Sequence, residues 1–281
     1  MKTTLFGGLA VSAVLMAAAA GSAGAADLAY KAPPPPPAIY NWTGCYVDGG
    51  VGYGMYNQDH YQEDYPGLVA FTQTTTDGGR GWLGRVGAGC DYQVGHFVFG
   101  AFGDYDFASI SGTNNVPNPL WTGAPGAWSN VPGGGMGAYG NEKETGAWAL
   151  GARLGYLVTP SLLVYWDAGY TQARFTGVHF FTDQTPPVDT VSWLNPNTYH
   201  GWFVGGGDEY QLGFAPGLFW RSEYRFAQYQ AADLPCWTAG GVLCTLNGAP
   251  GWAEHSRKEV QTATSSLVWR FNWGGPVAAR Y

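Results

Sequence analysis

From Trp42 onward, apolar residues alternate with polar or small ones at a period of two, not 3.6. That period puts successive side chains on opposite faces of a β-strand. Eight such runs are legible. Strand one covers 43–56, with Cys45, Val47, Val51, Tyr53 and Met55 on one phase and Tyr46, Asp48, Gly50, Gly52 and Gly54 on the other. Strand two, 80–94, sets Trp82, Val86, Ala88, Cys90 and Tyr92 against Arg85, Gly87, Gly89 and Asp91. Strand three, 97–108, sets Phe97, Phe99, Ala101, Tyr105 and Phe107 against Asp104 and Asp106. Strand four, 145–157, sets Trp148, Leu150, Ala152, Leu154 and Tyr156 against Arg153. Strand five, 162–175, sets Val164, Trp166, Ala168 and Tyr170 against Asp167, with Leu162 also assigned to the apolar phase. Strand six, 199–212, sets Trp202, Val204, Tyr210 and Leu212 against Glu209, and it leaves Asp208 on the apolar phase. Strand seven, 218–229, sets Trp220, Tyr224 and Phe226 against Arg221, Glu223 and Arg225. Strand eight, 260–271, sets Ala263, Leu267, Trp269 and Phe271 against Arg270.

The connections alternate in length. Short turns fall near Gly95, at Thr159-Pro160 and between Gly213 and Pro216; long loops are expected over 57–79, 109–144, 178–198 and 230–259. Short turns on one side and long loops on the other are the pattern of a transmembrane barrel. The expected fold is therefore all-β: an eight-stranded antiparallel up-and-down transmembrane β-barrel with four long extracellular loops. A soluble lipocalin-like barrel or sandwich would bury the apolar phase and expose the charges. Here the other phase is glycine plus charge, which suits a narrow lumen, while the aromatics suit lipid.

Composition points the same way. Charged residues are 12% and aromatics 16% of the 281 residues, with 44 glycines. An ordinary soluble domain carries about 25% charged residues. The net charge of −7, without a Lys/Arg cluster, argues against a nucleic-acid partner. Residues 1–25 read as a secretory signal peptide: Lys2, an apolar stretch from Leu5 to Ala20, then Ala23-Gly24-Ala25 as a small-x-small cleavage site. Residues 26–41 read as a periplasmic linker because Pro33 to Pro37 is an unbroken proline run. The barrel is assigned to 42–273 and a C-terminal tail to 274–281.

The inward phase gathers Asp48, Arg85, Asp91, Asp104, Asp106, Arg153, Asp167, Glu209, Arg221, Glu223, Arg225 and Arg270. An eight-stranded barrel is just wide enough for side chains to fill it, so these charges are expected to pair as a plug. The alternative is a narrow ion path. Cys236 and Cys244 sit in one long loop, where a disulfide is expected in an oxidising compartment. Cys45 and Cys90 are either a cross-strand bridge or two apolar thiols in lipid. No CxxC spacing exists, so no metal site is expected. The GxGxxG match at Gly135–Gly140 lacks the strand before and helix after that phosphate binding needs. His60, His179, His200 and His255 fall in or beside the expected loops, and His96 in a turn. A surface heme site could draw on one of the four with a loop tyrosine; the plainer reading is solvated side chains. No nucleophile elbow or Ser/His/Asp set is present, so no enzyme activity and no cofactor are expected.

The segments NWTGCYVDGGVGYG at 41–54, GWLGRVGAGCDYQVGHFVFGAFGDYDFA at 81–108, GARLGYLV at 151–158, GWFVGGGDEYQL at 201–212 and LVWRFNWGGPVAARY at 267–281 resemble the Omp25/Omp31-like outer-membrane proteins of rhizobia and relatives. The chain departs from them in carrying Cys45 and Cys90 where relatives tend to have an aromatic residue. The resemblance implies an OmpA-type eight-stranded barrel without a peptidoglycan-binding domain. It implies the cell outer membrane, with lipid and lipopolysaccharide as surroundings. Leu267, Trp269 and Phe271 look like the final-strand signal read by the barrel assembly machinery. The expected function is structural: envelope integrity and presentation of surface loops. Alternatives are heme or host-ligand binding by the loops, or a narrow small-solute pore. A lipid-modifying barrel enzyme would need a polar catalytic cluster at the outer rim.

Overall fold

The computed structural model describes residues 41–116, 137–182, 186–187, 189–244 and 251–271. The expected signal peptide, nearly all of the expected proline linker and the expected C-terminal tail lie outside the described residues.

The described strands are β1 (Gly44–Asp64), β2 (Thr75–Val94), β3 (Phe97–Val116), β4 (Ala138–Thr159), β5 (Leu162–Phe175), β6 (Val178–Thr182), β7 (Asp189–Leu194), β8 (Asn197–Gln211), β9 (Leu218–Tyr229), β10 (Ala232–Thr238) and β11 (Trp252–Phe271). They pair antiparallel in the order β1-β2-β3-β4-β5-β8-β9-β11, and β11 returns to β1 from Cys45↔Phe271 to Asp64↔Trp252. The sheet is therefore a closed ring of eight, without the free edges that a membrane forbids.

The strands run much further than alternation implied. β1 has 21 residues, β4 22 and β11 20. At ~3.4 Å per residue and a tilt near 40°, such a strand climbs roughly 55 Å, about twice a ~25 Å apolar band. Of the expected loops 57–79 and 109–144, residues 57–64, 75–79, 109–116 and 138–144 are strand, and 117–136 lie outside the described residues. In 178–198 and 230–259 the chain forms β6, β7, β10 and the start of β11. There β6 pairs with β4, β7 with β6, β10 with β7 and β11 with β10. The ring stays eightfold to the top: β5 continues as β6, β7 as β8 and β9 as β10, each across two residues. The break between β7 and β8 falls at Pro196, which has no N–H for the ladder.

At the short-turn end, Val94 pairs with Phe97, leaving Gly95-His96 as a two-residue hairpin. Gly95 has φ 61°, the left-handed conformation that this turn requires and glycine supplies without strain.

Outside, an apolar band encircles the ring. Its upper rim is Met55, Trp82, Phe107, Trp148, Tyr170, Trp202, Phe226 and Ala263; one pleat higher stand Asn57, Arg80, Ser109, Gln172, His200, Gln228 and Gln261. On β3 the band runs from Phe97 to Phe107, the ~9–11 residues a tilted strand needs to cross a bilayer. Asp208 interrupts it. The β5–β8 and β8–β9 registers run unbroken there, so no bulge turns it inward. It is half-buried one pleat above Tyr210, near the short-turn rim. Leu162 is half-buried at the start of β5, opposite Tyr210.

Inside, the lumen is layered. Trp42, Tyr46, Val98, Leu157, Leu163, Tyr165, Phe219 and Val268 close the short-turn end. Trp42 is fully buried, donates from Nε1 to the Pro160 carbonyl (3.2 Å) and packs 4.9 Å from the Phe219 ring. A charged layer follows, then an apolar one around Tyr56, Leu83, Ile110, Phe175 and Phe203. A second polar layer stands above that. At the top, Val178, Phe180, Leu194, Trp252 and Cys236 bonded to Cys244 form an apolar cap.

Candidate functional site

The charged layer is built by strand alternation alone. Every second residue of β1, β2, β3, β4, β5, β8, β9 and β11 points inward, and the closed ring brings those side chains within reach. All seven acids and five arginines that alternation assigned to the lumen meet there. Arg85 donates to Asp106 (2.7 Å) and Glu223 (2.6 Å). Arg225 bridges Asp104 (2.9 Å) and Glu223 (2.9 Å), with Asp167 at 3.7 Å. Glu209, fully buried, accepts from Arg270 (2.7 Å), Arg221 (3.0 Å) and Arg153 (3.2 Å). Asp91 pairs with Arg270 (2.6 Å) and with Arg153, and Asp48 with Arg221 (3.1 Å). Tyr46 lies between guanidinium groups: Arg153 and Arg221 each stand 4.7 Å from its ring centre. Sharing each charge among several partners is what makes such burial tolerable, since a lone buried ion costs several kcal/mol.

Two cavities are described inside the barrel, with volumes of about 10 and 20 Å³. A cavity needs ~10–15 Å³ to hold one water, so neither is a solute path. Glycine keeps this packing possible. A Cβ on Gly169 would lie 2.1 Å from the Leu150 carbonyl oxygen and 2.8 Å from the Phe203 ring.

The second polar layer lies above the apolar band and was not anticipated. Lys258, fully buried, donates to Glu142 (2.8 Å) and to Gln58, with Phe175 and Tyr199 ring centres 4.6 and 5.1 Å from its ammonium. His60 is likewise fully buried, a correction to its placement on an exposed loop. It stands on β1 facing inward, its Nε2 3.0 Å from Asp77 and its Nδ1 3.4 Å from Glu254. Burial opposes its protonation, but those two carboxylates outweigh burial and push its pKa up to about 9. Asp77 also accepts from the backbone and side chain of Asn115 (2.6 and 2.7 Å). Burial works against its charge, yet His60 and Asn115 hold its carboxyl below the usual range.

The other three candidate histidines are on the outside and do not converge with His60. His179 on β6 pairs with Asp189 (2.9 Å), and His200 on β8 meets the Tyr170 hydroxyl (2.7 Å). His255 on β11 pairs with Asp233 (2.6 Å), and its ring stacks on Tyr61. Glu63 joins that pair: a ligand-type atom of each of the three lies within 4.8 Å of the others. Alternation could not show this group, because its members stand on three strands.

Cys45 is bonded to Cys90 across β1 and β2, where the register sets them opposite one another, and Cys236 to Cys244. Leu267, Trp269 and Phe271 face outward on β11. Of the GxGxxG match, Gly135 and Met136 lie outside the described residues, and the remainder leads into β4.

A closed antiparallel ring with an apolar aromatic-rimmed band outside and a packed ionic lumen is an outer-membrane β-barrel. The chain belongs to the outer membrane protein beta-barrel domain family, which it matches over residues 10–271. It is similar to the 31 kDa outer-membrane immunogenic proteins of Brucella melitensis and Brucella suis. Each is 26% identical over 213 residues, covering 72% of this chain and 80% of the relative. In structure it is similar to the outer membrane protein OprG of Pseudomonas aeruginosa. The TM-score is 0.50 at 9% identity, over 83% of this chain and 99% of OprG, a likeness of fold alone. The resemblance to Omp25/Omp31-like proteins therefore holds, and the chain is an outer-membrane protein set in lipid and lipopolysaccharide.

Proposed function

We propose that this barrel is a sealed structural element of the outer membrane that holds the envelope together and presents its long-loop end to the outside, without turnover. The observation that carries this reading is the lumen, filled from Trp42 to the Cys236–Cys244 cap by alternating apolar and ion-paired layers. The narrow-pore alternative has no support in cavities of about 10 and 20 Å³. The heme alternative has little, since His60 is enclosed while His179, His200 and His255 stand on different strands with acid or phenol partners. The name of the Brucella relatives, immunogenic protein, supports surface display of the loops. We extend the proposal to assembly: β11, with Leu267, Trp269 and Phe271 outward, is the strand presented to the barrel assembly machinery.

The test is a deletion strain. Sensitivity to detergent and to chelation of lipopolysaccharide-bound cations should rise and be restored by the full chain. Unchanged sensitivity together with impaired uptake of a small solute would contradict the proposal and favour a pore.

A further inference from the structure

Among the described residues, the group around Glu63 is a polar cluster on the outer wall in which His255 and Asp233 pair while one buried oxygen of Glu63 is left without a hydrogen bond. Strand register explains how it forms. Asp233 on β10 stands opposite His255 on β11, and His255 stands opposite Tyr61 on β1. Glu63 is two residues further along β1, opposite Ala253, on the same outward phase. The chain after β1 turns back over it: Asp64 receives Leu68, its own N–H reaches Val69, and Glu63 bridges to Ala70. Glu63 is thereby 2% exposed, and its Oε1 accepts no hydrogen bond.

Two carboxylates thus lie close together, one of them out of water. Among the described residues, neither is ion-paired to a lysine or arginine; the nearby Arg257 is paired with Asp59 instead (3.4 Å). The imidazole is held in place by Tyr61, stacked at 4.7 Å and 15°. The side chains of His255 and Asp233 remain 31% and 35% exposed, so the group is open on one side.

We propose that Glu63, Asp233 and His255 bind one divalent transition-metal ion of the zinc type on the outer wall of the barrel, above the membrane. One imidazole nitrogen and two carboxylate oxygens are three protein ligands, and water takes the open fourth position. Ligand distances of ~2.0–2.2 Å put ligand atoms roughly 3.2–3.6 Å apart around a tetrahedral ion. The present spread, within 4.8 Å, closes to that by side-chain rotation, while the 2.6 Å contact between His255 and Asp233 opens. A nitrogen in the set selects against magnesium and calcium, which take oxygen ligands. The His179–Asp189 pair on β6 and β7 offers a built-in comparison. It too is a surface His–Asp contact, but among the described residues no third ligand joins it.

The experiment is a calorimetric titration of the full chain, refolded in detergent micelles, with zinc chloride in the presence of millimolar magnesium. Heat-modifiable migration verifies that each variant is folded. The expected result is one saturable zinc site per chain, weakened at least tenfold by Glu63→Gln and by His255→Ala and unchanged by His179→Ala. Cobalt(II) gives a second readout: its visible absorption in the wild type should be lost in folded Asp233→Asn. Absence of saturable zinc binding would overturn the proposal. So would binding that survives both Glu63→Gln and His255→Ala, or binding that magnesium removes.

Discussion

Glu209 shows what a single side chain does in this lumen. It is fully buried and accepts from three arginines, one on the adjacent strand β9 and the others on β4 and β11. Its inward phase was legible from its place between Asp208 and Tyr210 in an alternating run. Its three partners were not, because pairing across the lumen depends on ring closure. His60 was misplaced for a related reason. In sequence it sits among Gln58, Asp59, Gln62 and Glu63, a polar run that reads as solvated loop. In the structure alternate members of that run face a polar interior. His60 also carries a pH signature. Its pKa of about 9 in the folded chain lies above the ordinary 6.5. A raised pKa means stabilisation that is complete below pH 6.5 and lost as pH rises through about 9. The upper bound is on the order of 3 kcal/mol. Urea unfolding of the wild type and His60→Gln at pH 6 and pH 10 checks this. The wild type should be the more stable at pH 6, and the difference should shrink towards pH 10.

Among the elements, the membrane-spanning parts of all eight strands were legible, since lipid outside and charge or glycine inside give maximal contrast between phases. Above the bilayer that contrast disappears. On β1, Asn57, Asp59 and Tyr61 face water while Gln58, His60 and Gln62 face the lumen, so both phases are polar or mixed. The strand continues because its partners continue: β11 pairs with it as far as Asp64↔Trp252, and β2 as far as His60↔Thr75. Hydrogen exchange on the folded chain in micelles tests this. Backbone amides over 57–62 and 253–259 should exchange as slowly as those of the apolar band, and the connection at 65–74 much faster. Fast exchange over 57–62 would mean that the upper ring is loop after all. The group of Glu63, Asp233 and His255 was hidden for the same reason, since three strand extensions have to exist before their side chains can meet.

At the scale of the whole molecule, one ring serves two surroundings. Its lower half carries the aromatic band, with Trp166 73% exposed on the lipid face. Its upper half carries water-facing polar residues around a lumen that remains packed. Closure of the ring leaves no free edge among its eight described strands, and on the proposed reading the layered interior fills the space that closure encloses. Composition already hinted at this combination, because a chain with 44 glycines and 12% charged residues can fill a narrow tube with small residues and a few ion pairs. The sequence favoured charges that plug the lumen over charges that line a path on strand number alone, since both use the same inward residues. The ion pairs between opposite walls, such as Arg85 with Glu223 and Arg225 with Asp104, support the plug. Planar-bilayer recording on the full chain is the most direct test, with insertion verified by heat-modifiable migration of the recovered protein. A sealed lumen requires that the inserted barrel give no stepwise ionic conductance at either polarity. Reproducible unitary steps scaling with salt concentration would contradict it.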